Sequence, residues 1–291
     1  MNFTKVQGAG NDFILVKAGG VNRDWSQVAT TICDRHFGIG GDGLLLLLPS
    51  GVADLQMRIF NPDGSEAKAC GNGLRCLAKY ALHKGLVDTR AQEISVETIS
   101  GIRKARLQKT RSKVAGIQVS MGEPKFAAKD IPVAIEQGGN IVDIKPIIDY
   151  PVTVDGKELL LNLVSMGNPH AVYFWQHPVS DFPLSQLGPK LGQHRLFPNG
   201  VNFEVARVVS RKQIEARVWE KGVGETLACG SGACAIAVLA QLRDYIDSKV
   251  DIKLRGGILN VEWDGVGEVF LSGPAEIVFS GEWPDEDVKK S

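Results

Sequence analysis

The sequence has no surplus of either charge, no apolar run long enough to cross a bilayer, and a small, odd set of cysteines. Lys plus Arg and Asp plus Glu are 33 each. Binding nucleic acid through its phosphates needs a basic excess, so no nucleic-acid partner is expected. The longest apolar runs, Leu44–Leu48 and Ala233–Ala240, fall well short of about 18 residues, so no membrane association is expected. The first residues carry Lys5 and then Gly8-Ala9-Gly10-Asn11-Asp12, with no apolar stretch of the secretory kind. Five cysteines in 291 residues make a poor disulfide framework, and the expectation is reduced thiols in the cytoplasm. At 44% hydrophobic and 23% charged residues, extensive disorder is excluded.

Two domains of about 130 to 150 residues suit this length. Thirty-three glycines break the chain into short strands, read at 1–6, 14–17, 44–48, 55–60, 94–98 and 102–107. In the second half they fall at 152–154, 171–174, 201–208, 213–218, 251–254, 258–263 and 268–272. Helical patterns are few: Trp25–Cys33, Leu74–His83 and Ala233–Leu242. In the second, Arg75, Lys79 and His83 recur every four residues as a polar face. The third is apolar nearly all round, which predicts burial on every side, as in a helix wrapped by sheet.

The most informative feature is a repeat. Gly10-Asn11-Asp12 returns as Gly167-Asn168-Pro169, 157 residues on. Glu66-Ala67-Lys68-Ala69-Cys70-Gly71-Asn72-Gly73 returns as Glu225-Thr226-Leu227-Ala228-Cys229-Gly230-Ser231-Gly232, 159 on. Ser100-Gly101-Ile102 returns as Gly256-Gly257-Ile258, 156 on. Three matches in one order at nearly one offset imply two related domains, with a boundary near Met121–Pro124.

Each Glu-x-x-Ala-Cys-Gly-x-Gly unit runs into a helix, with its cysteine at the start. Unpaired N–H groups and the positive dipole end stabilise anions there. That predicts a lowered thiol pKa and a dock for a carboxylate, with glycine allowing close approach. Two such thiols facing one ligand suit inversion of a tetrahedral carbon: one thiolate removes a proton and one thiol returns one to the other face. The helix starts would stabilise the enediolate-like charge of the adjacent carboxylate. Cys33, Cys76 and Cys234 lie among apolar residues and read as core. The spacings Cys70-x5-Cys76 and Cys229-x4-Cys234 are poor for a metal. Gly38-x-Gly40-Gly41-Asp42-Gly43 leads into a strand and lacks a dinucleotide fingerprint.

Further residues carry a resemblance. Asn61-Pro62-Asp63-Gly64-Ser65-Glu66 with Ala69-Cys70-Gly71-Asn72-Gly73-Leu74-Arg75-Cys76, then Gly167-Asn168-Pro169-His170, then Gly222-Val223-Gly224-Glu225-Thr226 with Ala228-Cys229-Gly230-Ser231-Gly232 resemble the signatures of diaminopimelate epimerases. Lys5 to Phe13 resembles their opening, and the likeness runs to about Glu282. It implies an α+β fold of two pseudo-symmetric domains, each a mostly antiparallel, barrel-like sheet around a central helix, with the active site in the interdomain cleft. The first domain would span 1–120, with 275–284 returning to it, and the second 121–274.

The implied reaction is interconversion of LL- and meso-2,6-diaminoheptanedioate, in lysine and peptidoglycan precursor biosynthesis, with no organic cofactor or metal. Cys70 and Cys229 would be the acid/base pair. Gly71, Asn72, Gly230 and Ser231 would hold the reacting carboxylate. Asn61, Asn168, Asn202 and Glu220 would hold the distal amino-acid end, with Asn11 lining the same pocket. His170 and Glu220 would help position the reacting amino group or the thiols. A homodimer is implied by the family alone. Two departures stand out. Lys221 replaces the usual Arg, a point charge in place of a bidentate fork, and Gly43 stands where many members have Gln. A racemase for another amino acid and a non-enzymatic amino-acid-binding module remain the competing readings.

Overall fold

The computed structural model describes residues 1–67, 70–88, 90–110, 113–137, 140–141 and 145–284. Lys68 and Ala69, part of the first cysteine motif, lie outside them. The chain divides into two units, Met1–Ser120 with the segment from Ser272, and Met121–Leu271.

In the first unit the order is β1 (Asn2–Gly8), β2 (Asn11–Lys17), α1 (Trp25–Ile32), β3 (Gly43–Leu48), β4 (Leu55–Phe60), β5 (Glu66–Ala67), α2 (Gly71–His83), β6 (Glu93–Thr98), β7 (Gly101–Thr110) and β8 (Lys113–Ser120). In the second it is β9 (Glu136–Gln137), β10 (Asn140–Ile141), β11 (Ile147–Val154), β12 (Lys157–Ser165), β13 (Pro169–Phe174), α3 (Leu184–Gly192), β14 (Asn202–Ser210), β15 (Gln213–Glu220), β16 (Gly224–Thr226), α4 (Gly230–Leu242), β17 (Lys249–Leu254) and β18 (Gly257–Glu262). Then β19 (Phe270–Gly273) crosses the unit boundary, and β20 (Glu276–Glu282) pairs antiparallel with β1.

Each unit repeats one topology. An antiparallel hairpin (β1–β2, β12–β13) is followed by a helix and a parallel neighbour (β2–β3, β13–β14). An antiparallel partner follows (β4, β15), then the second helix and a second parallel step (β4–β6, β15–β17). Both helices therefore serve as crossovers between parallel strands, which need a connection of this length.

The cysteine-led helices are central. α2 packs against β1, β2, β3, β4, β7, β8 and β20, and α4 against β12, β13, β14, β17 and β18. Every residue of α4 from Gly232 to Ala240 is buried, as its lack of a polar face requires. Each Leu, Ile or Val so enclosed contributes about 1.5–3 kcal/mol. The other helices cover the sheets' opposite faces: Val28, Ala29 and Ile32 of α1 pack with Leu44 and Leu46, and Leu184, Leu187 and Leu191 of α3 with Phe203 and Val205. β3 is consequently covered on both faces, which accounts for its unbroken Leu44–Leu48 run.

The pattern reading missed α3, β5, β8, β9, β10, β12 and β16, and β20 came from the family resemblance alone. In α3 the reason is local: Pro183 caps it and Pro189 lies inside it, so its sequence reads as a turn. Arg75 requires a correction. It is wholly buried, not on a solvated face, whereas Lys79 is exposed. α2 is surrounded by strands and has no solvated side before Lys79.

Candidate active site

Both cysteine-led helices begin in the same way. Cys70 and Cys229 are the N-cap residues of α2 and α4, with extended backbones at φ −147°, ψ 115° and φ −121°, ψ 117°. Each sulfur accepts a hydrogen bond from the amide three residues on, Gly73 N and Gly232 N, both at 3.4 Å. Intrahelical bonding starts with Leu74 N to Cys70 O and Ala233 N to Cys229 O. The amides of Gly71 and Asn72, and of Gly230 and Ser231, therefore precede the first bonded turn and point out of the helix end. A carboxylate fits such a pair.

The glutamate of the repeated motif is structural. Arg58 grips Glu66 through Nε–Oε1 at 2.7 Å and Nη2–Oε2 at 2.9 Å, and Arg217 grips Glu225 at 2.9 and 3.0 Å. These forks tie β5 to β4 and β16 to β15, fixing the segments that lead to the cysteines. Arg58 and Arg217 escaped the sequence reading, although they lie 159 residues apart like the motif itself.

Around Cys70 the groups are amides and a guanidinium. The thiol points to Asn11 Oδ1 at 3.8 Å, which also accepts from Asn72 Nδ2 at 3.2 Å. Arg75 Nη2 donates to Asn72 Oδ1 at 2.5 Å, and Asn11 Nδ2 donates to Asp42 Oδ2 at 2.8 Å. Asn11 thus stands at the thiol, and its amide is engaged on both sides. Lys5 and Arg35 brace the same loop at Asp12, at 2.6 and 2.7 Å. Burial alone would raise the Asp12 carboxyl, but these two cations hold it at about 2. Asn61 lies in the next turn, donating from Nδ2 to Ser65 Oγ at 2.9 Å.

Around Cys229 a carboxylate and an imidazole replace them. Ser231 Oγ is 3.5 Å from Cys229 Sγ and accepts from Asn168 Nδ2 at 3.4 Å. Asn168 Oδ1 lies 3.0 Å from His170 Nε2, and His170 Nδ1 lies 2.7 Å from Glu204 Oε1. His170 and Glu204 are fully buried. Glu220 accepts from Thr226 Oγ1 at 2.6 Å, and Asn202 Oδ1 accepts the Lys221 amide at 2.9 Å. Glu204 was missed; its one sequence signal is a carboxylate among the apolar residues of Val201–Val209.

The expected lowering of the thiol pKa fails at Cys229. Burial pushes this thiol well above its ordinary value, and the charges of Glu220 and Glu204 push it further. The hydrogen bonds from Ser231 and Gly232 oppose them without prevailing. Desolvation outweighs one helix terminus when the sulfur is sealed off. Cys229 is therefore a protonated thiol. Cys70 is only half-buried. Burial raises Cys33 and Cys76 to about 12, which suits inert core cysteines, and Cys234 is likewise buried. Among the described residues no three His, Cys, Asp or Glu side chains gather as a metal site, and no helix is long and apolar enough to cross a membrane.

A profile of the diaminopimelate epimerase family matches residues 3–127 and 162–278. A diaminopimelate epimerase of Moorella thermoacetica is 45% identical over 287 residues, covering 98% of this chain and 99% of that protein. One from Methanococcus maripaludis is 42% identical over 284 residues, covering 97% and 99%. Among solved structures, a probable proline racemase from Agrobacterium radiobacter aligns with a TM-score of 0.71 at 15% identity, covering 98% of this chain and 93% of that one. A hydroxyproline epimerase from Agrobacterium vitis aligns at 0.70 and 16%, covering 97% and 91%. These two share the fold; the profile and the full-length relatives go further. With both cysteine units in place and the likeness running nearly end to end, the chain belongs to the diaminopimelate epimerase family.

Proposed function

We propose that this protein is a cofactor-independent epimerase that interconverts LL- and meso-2,6-diaminoheptanedioate, using Cys70 and Cys229 as its two proton carriers. The observation that carries this reading is the cysteine N-cap built twice, in a member of this family. One thiolate takes the α-proton and one thiol returns a proton to the opposite face. Buried Cys229 starts as the acid and Cys70 as the base, and the roles exchange in the reverse direction. The Gly71–Asn72 and Gly230–Ser231 amides bind the reacting carboxylate, whose negative charge grows in the transition state. Asn61, Asn168, Asn202, Glu220 and Lys221 receive the distal, unreacting amino-acid end. Amides suit this end because each supplies both a donor and an acceptor. No cofactor is needed, because both proton carriers are side chains.

On this reading the enzyme works in the cytoplasm, where its five thiols stay reduced, on an amino-acid substrate of lysine and peptidoglycan precursor synthesis. A homodimer is the family expectation, which sedimentation would test. The decisive experiment is turnover of LL-diaminoheptanedioate in deuterated water. Deuterium should enter one α-carbon as the meso isomer forms. No exchange with this substrate, but exchange with another amino acid, would overturn the substrate assignment.

A further inference from the structure

Residues at matching places in the two units differ in one respect that bears on Cys229. Phe13 lies beside Gly43 in the parallel β2–β3 register, and His170 lies beside Asn202 in the parallel β13–β14 register. Two residues further along the second strand of each pair come Leu45 and Glu204. Both side chains reach under the cysteine-led helix. A Cβ built on Gly73 would meet Leu45 Cδ2 at 3.0 Å, and one built on Gly232 would meet Glu204 Oε1 at 2.8 Å. Leu45 and Glu204 are 159 residues apart, the offset of the cysteines themselves. Where the first unit has an apolar Phe13 and Leu45, the second has a buried histidine and a buried carboxylate.

The bonds between that pair and Cys229 have a direction. Asn168 Nδ2 donates to Ser231 Oγ, so Asn168 Oδ1 is the atom facing His170. A carbonyl oxygen only accepts, so His170 Nε2 carries a proton. Ser231 Oγ accepts from Asn168 and so keeps its own hydrogen available to Cys229 Sγ, 3.5 Å away. A single proton is then shared between His170 Nδ1 and Glu204 Oε1. The pair has zero net charge whether it is imidazolium with carboxylate or imidazole with carboxylic acid.

We propose that Glu204 is a positioning residue: by bonding His170 Nδ1 it keeps the Nε2 proton in place, and so orients the chain His170 to Asn168 to Ser231 with every donor aimed at Cys229. The inference rests on the epimerase reading above and deepens it. When Cys229 gives its proton to the α-carbon, the new thiolate is buried. Ser231 O–H and Gly232 N–H are the donors that stabilise it, and the first is held in that orientation by Glu204. A hydrogen bond to the charged form favours that form. The same interaction is weak while sulfur is a neutral thiol, so it acts in the transition state and appears in kcat. Without Glu204, His170 can move its proton to Nδ1. Asn168 can then reverse its amide, and Ser231 can donate to Asn168 instead of to sulfur.

The test uses Glu204→Leu, the residue that stands at the matching place in the first unit, together with Glu204→Gln and Ser231→Ala. Glu204→Leu should lower kcat for diaminoheptanedioate about ten- to a hundred-fold, with KM changed less than about threefold, the loss of a hydrogen bond to a charged group. Glu204→Gln should keep kcat within about fivefold, because its amide N–H can donate to Nδ1 and preserve the Nε2 proton. Ser231→Ala combined with Glu204→Leu should be no slower than the slower single variant, because both cut one chain. Equal losses in Leu and Gln, or multiplicative losses in the double variant, would overturn the proposal. A measurement free of substrate and of variant folding is the 15N shift of the His170 ring in the unaltered protein. The proposal expects a protonated Nε2, and a bare Nε2 with protonated Nδ1 sinks it. If the unaltered protein turned over no diaminoheptanedioate, the functional reading would fail while the ring shifts would still decide the chain.

Discussion

The two halves of the repeat share their framework and differ in their charges. The Arg58–Glu66 and Arg217–Glu225 forks are the same pair at the same places, and so are the two sulfur caps. Beneath the caps the halves diverge. The first unit places a buried cation on the helix itself, Arg75 bonded to Asn72. At the matching position of α4 stands Cys234, and the buried ionisable groups come from the sheet, Glu204 paired with His170. One frame therefore presents one thiol among amides and a guanidinium, and the other beside a carboxylate and an imidazole. An epimerase gains from this inequality. On the two-carrier reading proposed above, one thiol and one thiolate are needed at the start, and unlike surroundings favour unlike proton affinities.

The largest way to break the comparison is to remove either thiol. Cys70→Ser and Cys229→Ser should each cost about 10²–10⁴-fold in turnover, the range of positioned acid–base catalysis. Near-normal epimerisation by either variant would contradict the two-carrier reading. Cys76→Ser, by contrast, should lower thermal stability and leave kcat nearly unchanged.

Exchanging the buried pairs should be next in size. Leu45→Glu places an uncompensated carboxylate under α2, at a cost of about 3–5 kcal/mol, visible in chemical denaturation. The opposite swap, His170→Phe with Glu204→Leu, removes both partners at once. It should leave stability unchanged or raise it, while kcat falls at least as far as in Glu204→Leu alone. If the swap kept full activity, the difference between the halves would have no catalytic meaning.

Lys221 offers a smaller and sharper probe of the distal end. Lys221→Ala should raise KM about ten- to a hundred-fold with little change in kcat, the loss of a charge-assisted contact made equally in ground and transition states. Lys221→Arg should match or improve the native KM, because a planar fork fits a carboxylate. Unchanged KM in both would place Lys221 outside the substrate contacts.

The smallest effect concerns Asp12, whose place in the second unit is taken by Pro169. Its folded pKa of about 2 lies below the roughly 3.9 of an unfolded aspartate. Its contribution is therefore present above about pH 4 and lost as pH falls toward 2. Asp12→Asn should lower Tm at pH 7 by about 2–4 °C, with the gap closing near pH 2. A gap that persisted at pH 2 would separate the effect from the carboxylate's charge.

The strands in apolar runs, the central position of α4 and the two capped cysteines were legible because each depends on neighbours in sequence. Alternation, an all-apolar helix and a cap followed by glycine are local patterns. α3 escaped for a local reason, the proline inside it, whereas β12 was legible and left unread, since Asp155-Gly156 is the hairpin turn that begins it. The candidate residues Asn11, Asn72, Asn168, His170 and Ser231 were named from their motifs, but their bonding partners were not. Asp42 is 31 residues from Asn11 and Glu204 is 34 from His170, and nothing along the chain joins them.

The sequence by itself determined the duplication, the helix that each cysteine begins and the family to which the chain belongs, because these reside in spacing and residue type. Only the tertiary structure decided which thiol is sealed from water, so that Cys229 holds its proton where a helix start alone predicts the reverse. It alone put Arg75 in the interior and brought Glu204 beneath Gly232. Desolvation and pairing are sums over whatever surrounds a group in space, and in a sheet wrapped around a helix most of those neighbours come from distant parts of the chain.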